Sequence, residues 1–396
     1  MDLATFRELL RPEGQIVLRR ATELAPTEPT FLACFQRLRK HTTDALAKAA
    51  LETVLLRQHA RPKFPQAEQL YFTREALEQA SGAIVSGYRA GRLAAYECVA
   101  DLCCGIGGDT LGLAQAGRTV VAVETDALRA AITTANVAAV GLADRVQVQQ
   151  ADALAIDWPA VQAVFADPSR RAGGTRQLDP EHYLPPLSAL QARWPADFPL
   201  AVKIAPGVPW PSIAHLDAEA EFISVAGELK ECVLWFGPLR TARRRATLLP
   251  AGVSLAADTV PPLPAVQPVN RFVFDPDPAI VRAGLTALLA QQFHLHPVDP
   301  VGPLLTGPHG LDSPLVTAYA VEWSERYHPR RLRDYLRQHH IGRVTPVQIG
   351  SRLDPREVMS ELKLTGSEHR LLLLTRVEGT PWMLIAQRLQ APVAAG

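Results

Sequence analysis

Five cysteines (Cys34, Cys98, Cys103, Cys104 and Cys232) in 396 residues are too few for a disulfide framework. Cys98, Cys103 and Cys104 lack the Cys-x-x-Cys spacing of a metal site, so small buried residues are expected there. The pairs His294/His296 and His339/His340 are not read as ligands either, and no metal is expected. No run of about 18 apolar residues occurs, so nothing reads as a membrane-spanning helix. The opening stretch MDLATFRELLRPEGQ has no apolar signal core, and a cytoplasmic, reduced protein is the expectation. The net charge is +1, so there is no global basic field, and any nucleic-acid surface must be a local patch. Internal repeats and low-complexity tracts are absent as well.

An apolar content of 47% with 20% charged residues fits an ordinary globular chain with more than one core. The length suggests two or three domains at ~100–200 residues each. Residues 1–80 read as helical, with Leu3, Phe6, Leu9 and Leu10, and later Leu46, Ala49, Ala50 and Val54, at helical spacing. From about residue 96 short apolar runs alternate with helical stretches. Strands are predicted at 97–102, 118–124, 145–150, 162–167, 199–205, 221–226 and 229–236, with helices at 109–116 and 127–140. Alternating β and α with near-continuous apolar strands implies a parallel sheet covered on both faces. The last two runs have no long helix between them and predict an antiparallel closing edge. The 33 prolines cluster, and TVPPLPAVQPVNRFVFDPDP (259–278) reads as a semi-rigid boundary. Beyond it, 279–396 forms a separate α+β piece, with helices expected at 279–292, 329–339 and 354–362 and strands at 343–349, 370–377 and 381–388.

The stretch VADLCCGIGGDT is strand, turn and helix. Gly105, Gly107 and Gly108 let the backbone turn tightly and approach a ligand, and the helix start offers free N–H groups. A dinucleotide fingerprint would need glycine where Thr110 stands. Asp101, directly before the loop, suits an ammonium better than a pyrophosphate. S-adenosylmethionine carries an ammonium and no phosphate. Glu124 ends the second strand and can accept both ribose hydroxyls. Asp152, after the third, is placed to accept from an adenine amine. Cys103, Asp109, Thr125, Asp126 and Ala153 flank these positions and are assigned to the same site. Acids recur at four successive strand ends (Asp101, Glu124, Asp152, Asp167), where doubly wound sheets bind ligands.

At these residues the chain resembles the class I S-adenosylmethionine-dependent methyltransferases. More closely it is similar to a bacterial family of them with a C-terminal THUMP-like domain. YFTREALEQAS, VADLCCGIGGDTLGLA, FADPSRR, LAVKIAPG, GELKECVLWFGPL and HPRRLRDYLRQHHIGRVTPVQIGSRLDPREVMSEL carry the likeness. It implies an α/β fold with a Rossmann-like seven-stranded sheet, a helical N-terminal region (1–80), a catalytic domain (81–258), the Pro-rich boundary (259–278) and a THUMP-like α+β domain (279–396). The THUMP-like name implies kinship with a small RNA-binding domain of tRNA-modifying enzymes. A more distant likeness, to trimethylguanosine synthases, implies that Phe72 and Thr73 fold over the cofactor. Equally, Phe72 reads as a core aromatic and Thr73 as a helix cap, and both readings can hold together.

Asp167-Pro168-Ser169-Arg170-Arg171 follows the fourth strand. Base N-methyltransferases commonly carry Asp/Asn/Ser-Pro-Pro-aromatic there: the first side chain accepts from an exocyclic amine and the aromatic stacks on the extruded base. Here Ser169 replaces the second proline and Arg170 the aromatic. Asp167 still offers an acceptor, and Arg170 is suited to stack on a base or to bind a phosphate. Asp167, Lys203 and Glu231 also resemble three members of the Lys-Asp-Lys-Glu set of ribose 2′-O-methyltransferases. Arg89 or Arg92 would have to stand in for the missing lysine, and an arginine cannot act as a base. Lys203 reads equally as a salt-bridge partner of a neighbouring acid. Arginines cluster at Arg240, Arg243, Arg244 and Arg245 and at Arg326, Arg330, Arg331, Arg333 and Arg337, as a phosphate-tracking surface would need. The expectation is an RNA methyltransferase acting on tRNA or rRNA at a base nitrogen, with Arg171, Arg243, Arg244, Arg330 and Arg331 on the substrate. The alternatives are a ribose-directed enzyme, one acting on protein or a small molecule, a non-catalytic RNA-binding protein, and a nicotinamide-dependent dehydrogenase.

Overall fold

The computed structural model describes residues 1–155, 160–172, 175–362 and 364–389, and only the backbone of 171, 172, 175 and 176. Six helices open the chain: α1 (Leu3–Leu10), α2 (Pro12–Glu23), α3 (Phe31–Leu38), α4 (Asp44–Ala60), α5 (Arg74–Gln79) and α6 (Ala83–Arg92). The Asp2, Thr43 and Thr73 side chains cap α1, α4 and α5 by accepting from the third residue on. The apolar faces of the first helices close one core around Phe6, Leu9, Leu51 and Phe64, and Ile106, Leu111, Ile132 and Val137 belong to that same core.

The alternating region follows as β1 (Cys98–Leu102), α7 (Gly108–Gln115), β2 (Thr119–Glu124), α8 (Ala127–Ala139), β3 (Val146–Gln150), β4 (Ala163–Ala166), a small pair β5 (Arg171–Ala172) and β6 (Thr175–Arg176), α9 (Leu187–Gln191), β7 (Leu200–Ile204), α10 (Trp210–Ile213), β8 (Ala218–Val225), β9 (Glu228–Phe236), β10 (Arg244–Leu249) and β11 (Val253–Ala257). The chain forms two compact units, the first made of Met1–Ala218 with Val233–Thr241, the second of Glu219–Cys232 and the chain from Ala242 on. In the first, the strand order is β9-β7-β4-β1-β2-β3. β1 runs parallel to β2 and β4, β2 to β3, and β4 to β7. The predicted strands and crossover helices are therefore present, and parallel pairing brings their C-terminal ends to one edge.

In the second unit Ala226 and Gly227 both have positive φ (51° and 80°). A two-residue turn of this kind makes β8 and β9 an antiparallel hairpin, the closing edge read from the sequence. β10 then pairs parallel to β8, and β11 antiparallel to β10, two strands more than the seven expected. A separate sheet has the order β13-β14-β12-β15-β18-β17-β16. Its elements are β12 (Phe272–Pro276), α11 (Pro278–Ala283), α12 (Thr286–Gln292), β13 (His296–Pro297), β14 (Leu305–Gly307), β15 (Val316–Arg326), α13 (Pro329–Gln338), β16 (Ile341–Gln348), α14 (Pro355–Ser360), β17 (Glu368–Val377) and β18 (Thr380–Arg388). Alternation on β17 and β18 sends Leu373, Leu384 and Ala386 to one face, and Leu372, Leu374, Met383 and Ile385 to the other, beneath Leu332 and Leu336 of α13. Two local expectations are corrected. The helix predicted over 279–292 is two helices, because Gly284 in the left-handed region (φ 68°) stops α11. The Pro-rich boundary ends in a strand, β12, held between β14 and β15.

Candidate active site

Four acids stand at or just beyond the strand ends. Asp101 is 1% exposed. Its Oδ2 accepts from Thr110 Oγ1, while its Oδ1 is buried with no partner among the described residues. Burial, with the negative charge of Asp109, pushes its carboxyl well above the usual range. Asp109, in the first turn of α7, pairs with Arg89 (Nε to Oδ1 2.8 Å), and both side chains are nearly water-free. The Arg89 guanidinium lies 4.9 Å from the Phe165 ring centroid. Glu124 is also buried. Its Oε2 accepts from Gly105 N (2.9 Å) and its Oε1 from Asp126 N (3.0 Å) and Thr125 Oγ1 (3.3 Å). Asp126 caps α8, accepting from Arg129 N at 2.8 Å. Asp152 is exposed, and its Oδ1 accepts from Leu154 N (2.9 Å) in a tight turn that buries Ala153.

Between these acids the loop takes a conformation that demands its glycines. Gly107 has φ 86°, and a Cβ there would lie 2.9 Å from the Thr133 methyl. At Gly108 a Cβ would lie 3.0 Å from Ser81 O, whereas at Gly105 it would meet open space. Two residues of α8 that the sequence reading did not single out hold the loop. Thr133 Oγ1 donates to Gly105 O (2.8 Å). Asn136 Nδ2 donates to Ile106 O (3.0 Å) and Tyr71 O (3.1 Å), and its Oδ1 accepts from Tyr71 N (2.7 Å). Cys103 sits in the loop with φ 58°. Burial and the charges of Glu124, Asp167, Asp101 and Asp152 all push its thiol up.

Asp167 follows β4, and its side chain is 26% exposed. Its Oδ2 receives Lys203 Nζ at 2.6 Å, from the adjacent strand β7, and the same ammonium reaches Ser81 Oγ at 3.3 Å. Oδ1 accepts no hydrogen bond among the described residues. Pro168 is buried. Ser169 exchanges two backbone hydrogen bonds with Leu184 (2.9 and 3.0 Å), next to the buried Tyr183, whose hydroxyl accepts from Ala205 N at 3.0 Å. Tyr183 was not legible as part of this region. Arg170 is half-buried, and its guanidinium makes no hydrogen bond among the described residues. The side chain of Arg171 lies outside them.

Other residues assigned from sequence have different surroundings. Phe72 is 1% exposed in the helical core against Phe64, and Thr73 caps α5. Arg89 is committed to Asp109. Arg92 lies over Trp235 and donates to Leu239 O. Glu231 is buried in the second unit, where it, Glu221 and Arg282 bear on Cys232. Arg243, Arg244 and Arg245 are half-buried at the start of β10; Arg245 pairs with the buried Glu219 (2.7 Å), and Arg244 donates to Ala283 O (3.1 Å). Arg330 and Arg331 are exposed on α13, and Arg331 pairs with Glu325. Among the described residues there is no group of three or more potential metal ligands and no helix long and apolar enough to cross a membrane.

Comparison with known proteins gives three family-model matches: a domain of unknown function over residues 2–60, "RNA cap guanine-N2 methyltransferase" over 96–177, and "THUMP domain-like" over 316–388. An uncharacterised S-adenosylmethionine-dependent methyltransferase of Mycobacterium tuberculosis is 32% identical over 338 residues, covering 83% of this chain and 92% of the relative, and the corresponding protein of a second strain matches equally. The crystal structure of a putative methyltransferase from Porphyromonas gingivalis superposes with a TM-score of 0.71 at 18% identity, over 92% of this chain and all of the other, a likeness of fold.

Proposed function

Because the chain belongs to the family of S-adenosylmethionine-dependent methyltransferases, we propose that the glycine loop holds the cofactor and that Asp167 orients the acceptor beside it. The observation that carries this reading is the placement of Asp101, Glu124, Asp152 and Asp167 at the ends of the adjacent parallel strands β1, β2, β3 and β4 beside the glycine loop, with Asp101 Oδ1 buried and unsatisfied. An unpaired buried acceptor costs about 1–3 kcal/mol, which a cationic donor would offset. The donor set fits S-adenosylmethionine, because concentrated negative charge attracts its ammonium and sulfonium and would repel a pyrophosphate. Asp101 would take the ammonium, Glu124 the ribose hydroxyls and Asp152 the adenine amine. When bound, the cofactor supplies a methyl group already activated by the sulfonium.

Lys203 occupies one oxygen of Asp167, leaving Oδ1 to accept from an acceptor N–H and so to fix the direction of the nitrogen lone pair. An RNA base nitrogen is the acceptor we favour. The family model over 96–177 and the Asp167-Pro168 pair support it, as do the exposed Arg330 and Arg331 in a module similar to a THUMP domain. Arg170, with no hydrogen-bond partner among the described residues, is the side chain in the Asp-Pro segment suited to a base face or a phosphate. A ribose hydroxyl is the second reading, favoured by the 2.6 Å Lys203–Asp167 contact, since Asp167 Oδ1 could take the hydroxyl proton while the Lys203 ammonium holds Oδ2.

Nucleoside mass spectrometry of total RNA from a deletion strain tests the substrate. One methylated nucleoside should disappear, and should return with the wild-type gene but not with Asp167→Ala. An unchanged set of RNA nucleosides would eliminate RNA as the substrate. Purified Asp167→Ala should bind S-adenosylhomocysteine within a few-fold of wild type; loss of that binding would make Asp167 a cofactor ligand instead.

A further inference from the structure

The segment before α5 is held by the N-terminal helices. Gln15 Nε2 donates to Leu9 O (2.7 Å) and to the Tyr71 hydroxyl (3.2 Å). The Phe6 and Tyr71 rings meet edge to face at 5.5 Å. Arg57 donates to Leu70 O (2.9 Å) and Gln69 O (3.2 Å), with its guanidinium 5.0 Å from the Tyr71 ring centroid. Asn136, 1% exposed, takes over from there: both its amide hydrogens and its oxygen are used, on Tyr71 at one end and Ile106 of the glycine loop at the other. Thr133, one turn earlier on α8, fixes the preceding loop carbonyl, that of Gly105. Two consecutive peptide groups of the loop are thus locked, and one of the locks is anchored in the helical bundle. The apolar contacts follow the same path, since Ile106 lies in the bundle's own core.

We infer that the N-terminal helical bundle, which includes the region matched only to a domain of unknown function, sets the affinity for the cofactor by acting on the glycine loop through Asn136 as a positioning residue. A loop held in its binding geometry before the ligand arrives loses less conformational freedom on binding. The inference rests on the cofactor standing at the glycine loop, as proposed above.

Calorimetry with S-adenosylhomocysteine on the full chain tests it. Asn136→Ala should raise the Kd by about tenfold or more, as displacing a positioned group does. The exchange of amide hydrogens over residues 104–108 should accelerate. Leu190→Ala serves as the stability control: Leu190 is fully buried on α9, outside the core of the helical bundle. It should lower the melting midpoint yet leave the Kd within about twofold, as independent sites do. If Asn136→Ala does not fold, Asn136→Asp keeps the acceptor for Tyr71 N, loses both donors and should act in the same direction. An unchanged Kd in the Asn136 variant, or an equal loss in Leu190→Ala, would overturn the inference. Asp101→Asn separates it from the reading beneath it: if that variant binds normally, the cofactor placement fails and the inference with it. If only the Asn136 variant binds normally, the inference alone fails.

Discussion

Replacing Arg89 with methionine should be among the most damaging single changes away from the acceptor. The side chains of Arg89 and Asp109 are 2% and 9% exposed. Removing the arginine therefore leaves a carboxylate with almost no water to solvate it. Breaking a pair buried this deeply typically costs about 3–5 kcal/mol, against about 0–1 for an exposed pair. Loss of the guanidinium from the Phe165 face falls within that range. Because the cost comes from the stranded charge, Arg89→Met with Asp109→Asn should recover most of the loss. The effect on the cofactor should also have a sign. Arg89 draws the Asp101 carboxyl down and Asp109 pushes it up. Arg89→Met should then make S-adenosylhomocysteine binding fade at a higher pH, and Asp109→Asn at a lower one. The chain has two compact units, so one melting midpoint is not a sufficient assay. Native-state hydrogen exchange of the α7 and β4 amides, alongside calorimetry, reads the stability of the unit concerned. A loss below about 1 kcal/mol in Arg89→Met, or a double variant no better than the single one, would refute the stranded-charge argument.

Two further outcomes concern pH. Asp101 keeps its proton to unusually high pH in the free protein, yet must be ionised to hold an ammonium. Affinity for S-adenosylhomocysteine should rise with pH, and binding should release a proton; titrations in buffers of different ionisation enthalpy measure this, and a buffer-independent heat would contradict it. In the C-terminal region, burial and the nearby charge of Asp277 push Asp275 up to about 6, from 3.8. The folded state therefore holds a proton that the unfolded chain has released. Stability from this group is full below about pH 4, declines as pH rises to about 6, and stays reduced above. Asp275→Asn should gain about 2–3 kcal/mol at pH 7 and nothing near pH 3.5, checked by urea unfolding at both values.

The catalytic sheet was legible because buried parallel strands write themselves as short apolar runs, and crossover helices space them. The acids at the strand ends were legible for the same reason: once β1 to β4 are placed, the topology decides that residues after them share one edge. What escaped was the tertiary pairing. Nothing local marks Asn136 as the partner of Tyr71, 65 residues away, or Arg89 as the partner of Asp109. A buried amide or arginine shows its role only when the groups it satisfies are known. β12 was hidden by the prolines around it, since Pro276 ends the strand rather than interrupting it. The arginines at the start of β10 read as a phosphate surface, but Arg245 serves a buried glutamate and Arg244 a backbone carbonyl. Residue type alone cannot tell a binding arginine from a folding one.

Cys103 brings a thiol into the loop assigned to the cofactor, where one oxidised sulfur would block the site. Its backbone takes the left-handed conformation, and burial together with the surrounding carboxylates suppresses its ionisation. Oxidants and alkylating agents react with the thiolate, not the thiol. The acids that favour a cationic ligand therefore also act as a chemical shield. An enzyme built this way should keep its activity under oxidative stress for as long as the loop keeps that thiol buried.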